Sequence, residues 1–240
     1  MVRMHRYDDA CRLDPDVDGV DLYRWANSVA LAVFEDLGHV EVAMRSAMAR
    51  ELADRYGLEW YDDRSLLDED GTELVEEAKG RIRLNKLPDD PSLRHGKLVA
   101  SLMFGFWVKL LGRGQFAERD GIRERRIYDT TIWKAAVRRA FPGVGDVERQ
   151  RVENVARRVQ VLRNRIAHHE HIIWGVPLVG ERKHADEPVR LDLETAHASV
   201  IQIARFLDDG LASWLTENSR VGQLLDACPI YPGELLLRQE

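Results

Sequence analysis

The sequence predicts an all-α protein, built as a helical bundle with additional helices. Three observations carry this. Apolar residues recur at helical spacing through most of the chain, helix start and stop residues bracket those runs, and period-two alternation appears only around Pro188 to Leu193. No repeat and no plausible interdomain linker interrupts the chain, so one domain is expected over 21–216. Residues 1–20 read as an N-terminal extension, and 217–240 as a loosely attached C-terminal tail carrying Pro229 and Pro232.

Leu22, Trp25, Val29 and Val33 open the first long helical run. It breaks near Gly38 and resumes through Val40, Met44 and Ala47. The acidic stretch Tyr61–Gly80 reads as a loop with one short helix. A further helix starts near Asp90, with Pro91 in its first turn and Gly112 as its stop. The stretch "YDTTIWKAAVRRAFPGVG" reads as a helix ended by Phe141-Pro142-Gly143. Asp146 is placed to cap the next helix. There Val152, Val155, Val159, Leu162 and Ile166 step by three and four residues, an apolar stripe. A charged loop from Gly180 to Pro188 leads to a last long helix with Val200, Ala204, Leu207, Leu211 and Trp214 on one face.

Composition narrows the class. Apolar residues are 45% and charged residues 32%, the balance of a soluble globular chain. Cys11 and Cys228 are too few for a disulfide framework. The N-terminus lacks the apolar core of a signal peptide. The most apolar run, Leu98–Val108, is too short to cross a bilayer, so no membrane association and a cytoplasmic location are expected. The net charge of −6 does not advertise nucleic-acid binding. Its distribution says more: Gly121–Glu170 holds 12 Lys and Arg against 6 Asp and Glu, in an otherwise acidic chain. Such a segment is either a phosphate-binding surface or a solvated helix face.

The stretch that concentrates chemistry is "VLRNRIAHHE", Val161–Glu170. On a helix, Asn164 and His168 share a face roughly 150° or more from the Val152–Ile166 stripe. Arg163 lies on the flank, His169 falls near the apolar stripe, and Glu153 and Arg157 continue the polar face backward. Histidine can exchange a proton at cellular pH, and arginine can hold a phosphate bidentately and stabilise charge developing on it. Asparagine can orient either partner. Together they suit metal-independent RNA cleavage, in which the ribose 2′-OH attacks the adjacent phosphate. By spacing alone, an ordinary cationic helix end, favoured by the macrodipole, is the stronger reading. His168, His169, Glu170 and His171 also raise metal binding, but neighbouring helical side chains point about 100° apart and rarely converge on one ion. The aromatic cluster Phe104, Phe106 and Trp107 reads as core, being continuous with Leu98, Leu102 and Leu110. Trp174 is open between packing and base stacking.

"LRNRIAHHE" resembles the Arg-x4-6-His signature of the HEPN superfamily, in its Arg-Asn-x3-His form. "HVEVAMRSAM", "TIWKAAVRRAFP" and the Phe-Gly-Phe-Trp segment in "GKLVASLMFGFWVKLL" are similar to segments of the Abi-like (abortive infection) family within it. The resemblance spans about Asp21 to Leu215. It implies a HEPN-type helical bundle and a homodimer in which two motifs meet across the interface. It assigns Arg163 and His168 as catalytic and Asn164 as the polar residue beside them. Glu41 and Arg45 match the family's acidic and basic positions, and with His169 are supporting residues. Arg157 and Arg165, in the basic segment, are expected along the RNA backbone. Ser46 and His171 depart from the residues more usual at their positions, and Glu170 stands where adenylylation-controlled relatives carry tyrosine.

The expected function is therefore a metal-independent endoribonuclease of toxin type in phage defence. It would need no cofactor, with RNA, a second copy and an antitoxin or defence-system protein as partners. The rivals are a non-catalytic HEPN module that binds RNA or a protein, and a helical dimerisation protein with a structural motif.

Overall fold

The computed structural model describes residues 2–12, 16–63, 65–119, 121–145, 149–182 and 188–230. The chain is mostly helical, as the apolar spacing predicts. In order, the regular elements are α1 (Val2–Cys11), α2 (Gly19–Tyr56), α3 (Glu69–Ile82), α4 (Pro91–Ser101), α5 (Phe104–Leu110), β1 (Phe116–Arg119), β2 (Ile122–Arg125), α6 (Arg149–Ala167), β3 (Val176–Arg182), β4 (Pro188–Leu191), α7 (Leu193–Leu207), α8 (Asp209–Asn218) and α9 (Val221–Asp226). They form two compact units. Unit 1 comprises residues 1–39, 158–202 and 212–240, and unit 2 comprises 40–157 and 203–211.

In unit 1, α1 is not a bare extension. Its Tyr7, Ala10 and Cys11 are buried with Leu22 and Ala26 of α2, Ile173 and Ile230. The tail is likewise packed as far as Ile230: Trp25 Nε1 donates 2.6 Å to the Leu224 carbonyl of α9. Apolar residues near both ends bury more surface by joining this core than by remaining in water, which opposes the loose attachment expected of the tail. A buried carboxylate, Asp36, adds a polar tie. It receives the Ser219 hydroxyl at 2.6 Å and lies 2.8 Å from His197 Nε2.

In unit 2, Trp60, Phe106 and Trp107 form an aromatic core, with Phe106 and Trp107 edge-to-face at 5.2 Å. This settles Phe104, Phe106 and Trp107 as interior, each at most 2% exposed. Asp68 is fully buried and fully engaged. It caps α3 through Gly71 N, accepts from Gln115 N, and lies 3.3 Å from Lys109 Nζ. Asp90 caps α4 by accepting from Ser92 N and Leu93 N, with Pro91 in the first turn as expected.

Five further expectations are corrected. The last long helix is two, α7 and α8, broken at Asp208, and Trp214 of its expected apolar face is 46% exposed. Gly38 does not break α2, which runs 38 residues; one interior glycine costs only about 1 kcal/mol, and buried Val33, Leu37, Val40 and Met44 flank it. The helix expected from Asp90 to Gly112 is two, separated at Leu102–Met103, both with extended ψ. A run apolar on every side has no single core face, and the break lets five of the seven α5 residues be buried. The "YDTTIWKAAVRRAFPGVG" segment is a π-helical turn (Asp129–Lys134) followed by 3-10 turns. There the Thr130 and Thr131 hydroxyls both donate to the Ile127 carbonyl, competing with regular helix bonding. Finally, two antiparallel hairpins, β1–β2 and β3–β4, decorate the helices; β4 coincides with the alternation noted at Pro188. The capping role expected of Asp146 and the centre of the Gly180–Pro188 loop lie outside the described residues.

Candidate functional site

The Val152–Ile166 stripe of α6 is buried throughout, at 8% exposure or less. That phases the helix and puts Asn164 and His168 on the exposed side, with Arg163 half-buried on the flank. These three residues all belong to unit 1. α6 ends at Ala167, and His168 is the first residue beyond it, its N–H still bonded to the Asn164 carbonyl at 2.9 Å.

Beyond His168 the chain folds into a Schellman turn. His169 N donates to the Ile166 carbonyl at 2.9 Å and Glu170 N to the Arg165 carbonyl at 2.8 Å. Such a turn needs a left-handed residue at its apex, and His169 supplies it with φ +54°. His169 is therefore exposed at the turn, not packed beside the apolar stripe. Helical periodicity stops two residues before it, so its expected position and packing role are corrected.

Arg165 locks the turn from beneath. Its side chain is 14% exposed, lies 2.9 Å from Glu170 Oε2, and donates through Nη2 to the His171 carbonyl at 2.8 Å. These partners make Arg165 a clamp on the turn. Arg157 belongs to unit 2 and is exposed, its Nε and Nη2 both on Glu153 Oε1 at 3.0 and 2.8 Å. Glu153 itself is 8% exposed, held also by Arg149 at 2.7 Å, so the polar face does not stay open toward the start of α6. Arg126 and Arg149 are likewise mostly buried and paired with acids, which removes them from any phosphate-binding surface. Glu41 and Arg45 lie half-buried, one turn apart on α2 within unit 2.

Sequence reasoning missed one neighbour of the turn. Arg6 of α1 bonds His171 Nε2 across 165 residues. Arginine can only donate, so Nε2 accepts and the imidazole is neutral. Burial and the nearby Arg6, Arg165 and Arg190 push the His171 pKa down to about 4. No sequence pattern marks this pair. Trp174 is half-buried and packs against the Tyr7–Leu22–Ile173 cluster. Among the described residues no group of three His, Cys, Asp or Glu could hold a metal ion. No described helix is long and apolar enough to cross a membrane.

Chemically, the site is an exposed imidazole and carboxamide at a helix end, a half-buried guanidinium one turn behind, and a turn fixed by two backbone bonds and an ion pair. Comparison with family models, curated proteins and solved structures finds no match to this chain.

Proposed function

We propose that this chain is a HEPN-type, metal-independent endoribonuclease of the abortive-infection kind, acting as a toxin in phage defence. The observation that carries the reading is the exposure of His168 and Asn164 at an end of α6 that the Schellman turn and the Arg165–Glu170 pair hold in one conformation. A general acid or base works only if it is accessible and positioned, and positioning contributes much of the rate.

In this reading Arg163 holds the scissile phosphate and offsets charge as the 2′-oxygen attacks phosphorus. Asn164 orients the phosphate or the imidazole. His168 transfers the proton, either from the 2′-OH or to the departing 5′-oxygen. The products are a 2′,3′-cyclic phosphate and a 5′-hydroxyl. The experiment is cleavage of a labelled RNA by wild type and His168→Ala, each with and without EDTA, with the end groups identified. Cleavage that survives EDTA, leaves cyclic phosphate and vanishes in the variant is expected. Strict dependence on a divalent ion, 5′-phosphate products, or an unaffected variant overturns the reading and leaves a binding module.

A further inference from the structure

α1 lies in the stretch that the sequence reads as an extension, yet it reaches the turn that carries His168. Tyr7, Ala10 and Cys11 fix its inner face in the core that they share with Ile173. His171 stands two residues before Ile173 in the chain. Arg6, beside Tyr7, is exposed and donates from Nη1 to His171 Nε2. All of these groups belong to unit 1.

His171 is thereby held from two sides. Arg6 grips its ring, and Arg165 Nη2 grips its carbonyl at 2.8 Å. Arg165 also lies 2.9 Å from the carboxylate of Glu170, the residue before it. At the other end of the turn, the His168 N–H is bonded to α6 through the Asn164 carbonyl. The span from His168 to Glu170 therefore runs between two fixed points, the end of α6 and His171. Loosening His171 frees the span at that end.

The arrangement opposes local stability. With Nε2 accepting, the ring proton sits on Nδ1, which is buried and has no acceptor among the described residues. An unsatisfied buried donor is destabilising. Arg6 also adds a third guanidinium where Arg165 and Arg190 already act on His171, with Glu170 as the opposing carboxylate. Burial lowers the Arg165 pKa, and Arg190 and Arg6 lower it further against the pull of Glu170. Charge alone would therefore place Arg6 elsewhere. Contacts kept against a local penalty cluster where geometry serves a site.

We infer that Arg6 is a positioning residue for His168, acting through His171, and that α1 is part of the site rather than an extension beside it. The inference rests on the ribonuclease reading. In it Arg6 touches neither phosphate nor base. Its effect is on the place of the imidazole, where a displacement of about 1 Å costs up to about 10²-fold in rate.

The test compares full-length wild type with Arg6→Ala, Arg6→Lys, His171→Ala and the Arg6→Ala/His171→Ala double variant. It reads single-turnover RNA cleavage and, by NMR, amide hydrogen exchange at His169 and Glu170, whose N–H groups close the turn. Arg6→Ala is expected to slow cleavage about tenfold, part of the full cost of misplacement. It should speed exchange at both amides and leave Val159 and Leu162, inside α6, unchanged. RNA affinity and its slope against salt should match wild type, because no phosphate contact is lost. Arg6→Lys, which still donates to Nε2, should recover most of the rate. The double variant should lose no more than either single variant, as residues acting through one contact do. Wild-type cleavage and exchange in Arg6→Ala, additive losses in the double variant, or a salt slope smaller by about one unit overturns the inference. If wild type itself cleaves no RNA, the ribonuclease reading falls, and exchange at His169 and Glu170 still decides whether Arg6 holds the turn.

Discussion

The Arg165 guanidinium lies 2.9 Å from the Glu170 carboxylate and closes, from the buried side, the turn that carries His168 and His169. A second Arg165 nitrogen holds the His171 carbonyl. Removing the side chain takes the donor from the half-buried His171 carbonyl, while the exposed Glu170 carboxylate turns to water. Arg165→Ala is therefore expected to lower stability by about 1–3 kcal/mol, measured by urea denaturation. RNA binding by the same variant should keep the wild-type slope of log affinity against log salt. A loss of about one unit of slope is the signature of a lost phosphate contact and would return Arg165 to the RNA backbone.

His169 occupies a left-handed position that favours glycine. His169→Gly should raise stability by about 0.5–1 kcal/mol, with cleavage kept within about threefold of wild type. Thermal unfolding and an RNA cleavage assay check both parts. A large loss of activity would show that the imidazole itself, and not the turn it caps, serves the site.

The contrast between α6 and its end shows what the sequence made legible. The step of three and four residues from Val152 to Ile166 determines which side of α6 is buried, and so the exposure of Asn164 and His168. The same periodicity fails at His169, because no glycine marks the stop and a histidine takes the left-handed turn. Glu153 misled for another reason: its spacing is that of the polar face, but Arg149 and Arg157 neutralise it where the helix is covered. The β1–β2 hairpin carries a sequence signal, the Asp-Gly dipeptide that precedes Ile122, in a segment whose dense charge masks the strand alternation. The Arg6–His171 contact joins segments 165 residues apart and leaves no local trace.

Activity should divide among the motif residues by what each touches. His168→Ala is expected to cost about 10²-fold or more in single-turnover cleavage, the loss typical of a removed general acid or base. Arg163→Ala should cost a similar factor. Arg163→Lys should recover only part of it, because lysine keeps the charge but not the bidentate geometry. Circular dichroism of each variant separates lost chemistry from lost fold. Equal activity of all three variants and wild type would make the motif a structural helix end.

His171 ties stability to pH. Its folded pKa, about 4, lies below the ordinary 6.5, so between these values the unfolded chain binds more protons. The contribution is complete above pH 6.5 and is lost as pH falls toward 4. With solvent screening of a half-buried group allowed for, about 1–2 kcal/mol is expected. Urea midpoints from pH 7 to 4 should fall more steeply in wild type than in His171→Gln, which keeps an acceptor for Arg6 but cannot titrate. Parallel pH profiles, or an imidazole titrating near 6.5 by NMR, would contradict the buried neutral assignment.

Cleavage by 2′-OH attack needs a proton acceptor at one oxygen and a donor at the other; His168 serves at one of them, while its exposed neighbour His169 forms the left-handed apex of the turn and points elsewhere in this reading. His171 cannot serve as the second, because Arg6 occupies its Nε2 and burial keeps it neutral. A second copy of the chain supplies the missing group if the two motifs face each other about a two-fold axis. The proposal therefore predicts a homodimer by light scattering, with Asn164 of each copy near the axis. Asn164→Cys should cross-link within the dimer through a short bis-maleimide, whereas wild type, whose Cys11 is buried and Cys228 half-buried, should not. RNA affinity of the dimer should fall steeply with salt, as counterions released on binding require. A stable monomer that cleaves RNA, or a dimer in which Asn164→Cys fails to cross-link, would place both proton transfers within one chain or remove the enzyme reading altogether.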